Sequence, residues 1–234
     1  DVSAYRLYMK MLYDNQKEAP RYVLLFGDCA ADNRMLTAEW RNFSPDNFLL
    51  CYESGNSVSD TKSYMTDDFI GMMDEVEGAN PLTSKADISV GRFPVRDVTE
   101  AATMVNKTIA HLQSAVGAWN NRVAYLGDDG DENSHMEYAD WTASAVESTA
   151  PDIDVTRVMW DAYKRVSSTV TNTFPDVVKT INRLNNEGVL MFNYTGHGAT
   201  YVLSHESVVK LSDVKAWSNT HYPLWYTAAC DVMP

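Results

Sequence analysis

The sequence predicts an α/β fold built on a mainly parallel sheet, on three observations. Strand-like and helix-like segments alternate along the chain, several strand-like segments are unbroken apolar runs, and the helix-like ones carry apolar residues at steps of three and four. Unbroken apolar runs suit strands covered on both faces, because neither side of the pleat then meets water.

Strands are expected at 22–26, 48–52, 88–90, 123–126, 155–160, 189–194 and 224–228. Between them, Val98, Ala102, Val105, Ile109 and Leu112 line one face of a helix, and Asp97 with Glu100 before it resembles a capping box. Met136, Ala139, Ala143 and Val146 repeat that spacing. So do Phe174, Val177, Ile181 and Leu184, with Thr173 as N-cap and Gly188 as the stop. A short helix at 211–217 suits a crossover between the last two strands. The segment 113–121 follows a long helix and precedes a fresh strand. It marks a boundary near Trp119 between a smaller N-terminal α/β subdomain, 1–118, and a second subdomain, 119–234. The front half also holds an acidic, loop-rich stretch at 64–78. No internal repeat or low-complexity segment interrupts the pattern.

The composition narrows the function. With 234 residues, 45% hydrophobic and 22% charged, the chain has an ordinary globular balance. Its net charge of −13, without a Lys/Arg cluster, argues against nucleic acid and against an anionic membrane surface. No apolar run approaches the ~18 residues that span a bilayer. The chain opens at Asp1 with neither an initiator Met nor a signal peptide, and it stops just after a strand-like run. Those two features read as a mature or excised fragment with further C-terminal sequence expected. Cys29, Cys51 and Cys230 are too few for a disulfide scaffold and share no metal-ligand spacing. Cys29 and Cys51 are either two buried thiols or a pair in an oxidising compartment.

Two strand ends carry the candidate chemistry. Val189-Leu-Met-Phe-Asn-Tyr-Thr-Gly-His-Gly198 delivers His197 to the carboxyl end of a strand, where open α/β sheets bind ligands, with glycines that let a substrate approach the main chain. Pro223-Leu-Trp-Tyr-Thr-Ala-Ala-Cys-Asp231 ends the next strand in Cys230. Consecutive parallel strands joined by a crossover are often neighbours, which would put both residues on one rim. A thiol beside an imidazole ionises, and the thiolate is a nucleophile. Taken singly, the Cys also reads as an inert buried thiol and Gly-His-Gly as a turn. His205 and His221 close no strand and read as surface histidines. The acidic runs Asp67, Asp68, Asp74, Glu75 and Asp128 through Asn133 do not fit the EF-hand pattern.

Asn193-Tyr-Thr-Gly-His-Gly-Ala199 followed by Ala229-Cys230 resembles the active-site signature of gingipain-type (C25 family) cysteine peptidases. The resemblance continues through Asp87-Ile-Ser-Val-Gly-Arg-Phe-Pro-Val95 and Leu126-Gly-Asp-Asp-Gly130. It implies a caspase-like fold, Cys230 as nucleophile and His197 as acid/base. It also implies backbone N–H groups of Gly198 and Cys230 as the oxyanion hole. The carboxylate orienting the imidazole maps to Asp129, with Asp128 the alternative. No cofactor and no catalytic metal are implied; the family's structural calcium is, and the acidic runs above read either as its oxygen donors or as exposed acidic loops. Leu25-Phe-Gly-Asp-Cys-Ala-Ala-Asp-Asn-Arg34 and Tyr64-Met-Thr-Asp-Asp-Phe69 resemble the sortase branch of the family, which serves type IX secretion. Cys29 departs from that pattern, where glycine is expected, and reads as structural. That branch implies a location on the outer face of the outer membrane, or secretion. Its substrates are the C-terminal sorting domains of exported proteins, with a lipopolysaccharide amine as acceptor and other secretion-system outer-membrane proteins as partners. The alternatives are a secreted endopeptidase that only hydrolyses, and a non-catalytic module that keeps the fold.

Overall fold

Two units make up the chain, Asp1–Ile109 and Ala110–Pro234, and the computed structural model describes residues 1–56, 62–169 and 171–232. The first unit opens with α1 (Ser3–Asn15), which the sequence pattern did not announce. Its Arg6 and Lys10 donate to the carbonyls of Met72, Met73 and Asp74, so distant main chain holds the helix in place. β1 (Tyr22–Phe26) runs parallel to β4 (Ser89–Phe93), from Tyr22 opposite Ser89 to Phe26 opposite Phe93. Between them β2 (Tyr52–Glu53) and β3 (Met65–Thr66) pair antiparallel. The strand expected at 48–52 is reduced to its last residue. The Phe48 N–H closes a turn on Pro45 and the Leu49 N–H goes to the Asp28 carbonyl, which draws 48–49 away from a ladder. Leu25, Phe69 and Ile70 form a small core.

The helix expected after β4 is α2 (Val98–Gln113). Asp97 accepts from the N–H groups of Thr99 and Glu100, and Glu100 reaches back to the N–H of Arg96, one residue before the expected box partner. Its apolar positions Val98, Val105, Ile109 and Leu112 stay exposed. The periodicity made a helix without burying it.

In the second unit four parallel strands lie in the order β13-β9-β5-β6, namely β5 (Arg122–Gly127), β6 (Asp154–Met159), β9 (Met191–Thr195) and β13 (Leu224–Ala228). Successive residues of β5 pack into different clusters. Ala124 and Leu126 meet Val177, Ile181 and Leu184 of α4 (Pro175–Glu187), whereas Val123 and Tyr125 meet Ala143 of α3 (Ser134–Thr149). Helices on both faces explain the apolar runs. Expected and observed strands agree to within one or two residues, and the strand expected to reach Trp160 stops at Met159. Trp160 begins a turn, and its indole N–H donates to the Ser204 hydroxyl at 3.2 Å.

The cap of α4 differs from expectation. Thr173 belongs to β8 (Asn172–Thr173), which pairs with β7 (Val166–Ser167), and its hydroxyl donates to the Val166 carbonyl. Phe174 is the N-cap, without a side-chain bond, and Pro175 presets the first helical φ. Gly188 does stop α4, at φ 90°, with Trp119 and His221 packed against it. After β9 a small antiparallel sheet, β10 (Gly198–Ala199), β11 (Val202–Leu203) and β12 (Val209–Lys210), leads into α5 (Leu211–Ala216) and then β13.

Candidate active site

Strand register brings the site together. Thr195 lies opposite both Ala228 of β13 and Gly127 of β5. One residue on, the N–H of Gly196 donates to Ala228 and that of Asp128 to Thr195. His197 and Cys230 each sit two residues beyond a paired position, so Asp128, His197 and Cys230 leave three adjacent strand ends on one rim. Gly198 lies hard against the chain at Cys230. A Cβ there would stand 2.4 Å from the Cys230 carbonyl oxygen and 3.1 Å from Ala229 Cβ. Only glycine permits that approach.

Asp128 anchors the imidazole side. Its carboxylate is fully buried and accepts from the His197 N–H (2.7 Å), the Gly130 N–H (3.1 Å) and His135 Nδ1 (2.6 Å). The Tyr194 hydroxyl, 3.1 Å from the same carboxylate and 2.7 Å from the His197 carbonyl, closes the network. Burial pushes this carboxyl up, but the His197 N–H, the His135 ring and the Gly130 N–H outweigh it and hold the group below its ordinary value. The ionised carboxylate makes His135 Nδ1 the protonated nitrogen. Burial and the same carboxylate push the Tyr194 hydroxyl up, so it stays neutral.

Asp129, the orienting carboxylate expected from the sequence, is turned elsewhere. It pairs with Arg165 at 3.6 Å, and burial and then Glu206 push its carboxyl up. The sequence left the choice between 128 and 129 open, and here Asp128 carries the bond to His197, through the main chain. The carboxylate paired with the His197 ring is Asp131, 3.7 Å from Nε2. Asp131, Glu132 and Asn133 all have positive φ, which folds the loop before α3 back on itself.

Two residues at this rim were not foreseen there. His135, in the first turn of α3, meets His197 edge-on with ring centroids 4.9 Å apart. Its only local signal is an Asp four residues earlier. His205, expected as a surface histidine, is exposed but stacks on His197 at 4.2 Å. His221 stacks on Trp119 at 4.6 Å and is half-buried. Beside the rim an apolar cavity of about 330 Å³ is lined by Leu203, Val209, Trp217 and Trp225, and it reaches Ala199, one residue past Gly198, and Val232, two past Cys230.

Two carboxylates of the acidic runs are already engaged by protein groups. Arg92 takes both oxygens of Asp67 in a fork at 2.7 and 2.8 Å. Both oxygens of Asp128 are committed as above. Cys29 and Cys51 are free thiols, Cys51 buried and Cys29 partly so, and Cys230 is exposed.

A cysteine and a histidine leaving adjacent strand ends on one rim of a helix-flanked parallel sheet fit the arrangement of a cysteine peptidase. The chain belongs to peptidase family C25, whose model it matches over residues 1–234. The solved structure of the Arg-specific cysteine proteinase gingipain R is similar over 98% of this chain and 45% of its own, at 17% identity and a TM-score of 0.64. A structure described as a protease is similar over 97% and 43%, at 15% identity and a TM-score of 0.65. The crystal structure of dimeric latent PorU from Porphyromonas gingivalis aligns over 61% of this chain and 16% of its own, at 26% identity and a TM-score of 0.39. No curated protein matches the sequence. The chain spans less than half the length of the gingipain R and protease structures.

Proposed function

We propose that this chain carries the catalytic centre of a cysteine endopeptidase in which Cys230 attacks a peptide carbonyl and His197 protonates the leaving amine. The parallel pairing of β9 with β13 supports this reading most, because it presents both residues from the same strand ends. Thiolate attack breaks the amide and leaves a thioester on Cys230, and water or an amine then releases the acyl group. The Gly198 and Cys230 N–H groups receive the oxyanion; each such donor is worth ~3 kcal/mol in the transition state. Asp128 contributes by fixing the His197 main chain. Orientation of the imidazole by Asp129 would require its side chain to leave Arg165. No cofactor enters these steps.

Within this reading the enzyme is an acyl-transferring sortase of the type IX secretion system, acting outside the cell on exported proteins. Residues 25–34 and 64–69, in the first unit, favour it over a purely hydrolytic peptidase. Incubating the intact protein with a cargo peptide and a primary amine, then weighing the products, decides between them. A product heavier by the amine is expected. Release of the free acid alone, at every amine concentration, leaves the hydrolytic peptidase.

A further inference from the structure

Four groups at the rim are disposed for something other than proton transfer. His135 and His197 come from different elements, α3 and the end of β9, and each turns Nε2 toward the carboxylate of Asp131, at 3.5 and 3.7 Å. Asp128, His135 and His197 each offer a ligand atom, and those three atoms lie within 4.8 Å of one another. Tetrahedral zinc with ligands at about 2.0–2.1 Å sets them about 3.3 Å apart, close to the spacing of one Asp131 oxygen from His135 Nε2 and of the other from His197 Nε2. Asp128 completes the pattern from behind. Its bond to His135 Nδ1 fixes the tautomer that leaves Nε2 with a free lone pair, which is how a carboxylate commonly supports a metal-binding imidazole.

We infer that His135, His197 and Asp131, backed by Asp128, form a binding site for a divalent ion of the zinc class, and that the ion inhibits the enzyme by occupying the imidazole of His197. The site itself stands on geometry alone; its inhibitory consequence rests on the reading of His197 as acid/base. The remaining coordination position is open to water. Asp131 is exposed, so an ion can enter from solvent without moving the buried network.

The alternative for any ion here is the Cys230 thiolate with His197, and binding measurements separate the two. Cobalt(II) is the optical probe and zinc the competitor, both on the Cys230→Ala chain, so the binding measurements do not depend on activity. One tetrahedral cobalt site displaced by stoichiometric zinc is expected. His135→Gln and Asp131→Asn should each weaken zinc by at least the ~10–100-fold that loss of an outer-shell partner costs. Asp131 is a surface residue, so its variant keeps the test open should His135→Gln misfold. In the enzyme with Cys230 intact, the zinc concentration for half-inhibition should rise by the same factor in Asp131→Asn, each variant being compared with its own metal-free rate. Absence of a tetrahedral cobalt spectrum in Cys230→Ala, or zinc affinity unchanged in Asp131→Asn, overturns the site. Zinc affinity that collapses in Cys230→Ala relative to the chain with Cys230 intact overturns it as well.

Discussion

The two halves of the site are built differently. His197 follows β9, a central strand whose Phe192, Asn193 and Tyr194 are buried, and its main chain is held by a buried carboxylate that also holds Tyr194, Gly130 and His135. Cys230 follows β13, which among the described residues pairs only with β9 and exposes Leu224, Tyr226 and Ala228 in alternation. Buried polar networks with every member satisfied are rigid, and a single missing member is costly. An edge strand has only its one ladder to hold it. The imidazole is therefore fixed by the core and the thiol by backbone register. Damage on the His197 side should register in stability and activity together. On the Cys230 side it should register in activity alone.

The largest effect belongs to the thiol. Cys230→Ala should lower cleavage by ~10³-fold or more, the scale on which enzymes lose a nucleophile, with the thermal midpoint unchanged because the side chain is exposed. Peptide cleavage and a melting curve on the same preparation check it. Full activity in this variant, or loss of activity in Cys29→Ser, would remove Cys230 from the mechanism. Cys29 needs that control because its bond with Cys51, and after it the charge of Arg92, hold its thiol below the ordinary value despite burial. It will therefore compete with Cys230 for thiol reagents.

Next comes Asp128→Ala. It leaves the His197 and Gly130 N–H groups without their acceptor, at ~1–3 kcal/mol for each donor left buried and unpaired. A loss of ~3 kcal/mol in urea unfolding is expected, with slower turnover in the fraction that folds. Stability equal to the parent would break the contrast between the two halves, because the His197 side would then not depend on its buried carboxylate.

The strand ends were legible because apolar runs report burial directly: 123–126 and 224–228 lie where the pattern put them, and with them the rim. Other features depended on contacts the pattern cannot carry. α1 is held by Arg6 and Lys10 bonding to carbonyls far along the chain, and it buries no residue of its own. His135 acquires its setting from Asp128, Asp131 and His197, three positions that no periodicity relates. The choice between Asp128 and Asp129 is a question of where a ladder ends. The N–H of Asp128 still bonds to Thr195, so Asp128 stays in the sheet and is buried, while Asp129 begins the turn and swings to Arg165. In the first unit the periodicity of α2 marks a helix whose apolar face stays exposed, since spacing fixes which residues share a side and not what covers them.

The smallest expected effect is that of Asp129→Asn, and it sharpens the boundary of the imidazole side. Burial, Glu206 and Asp161 raise the Asp129 carboxyl, and Arg165 offsets only part of that. A carboxyl whose folded value lies above its unfolded one binds more protons when folded. Its contribution therefore favours the folded state at low pH and is lost as pH rises from the ordinary carboxylate value through the raised one. Asparagine cannot titrate, so the variant should lack this fall and, above that window, melt no lower than the parent apart from the lost Arg165 pair. Melting curves taken across the carboxylate range check the sign. Turnover should drop by less than ~10-fold, because a group paired with Arg165 rather than with the imidazole contributes less than the residues that do the chemistry. A loss approaching that of Cys230→Ala would mean that Asp129 turns to His197 in the working enzyme. The rigid half of the site would then extend one residue further than the buried network, into the turn.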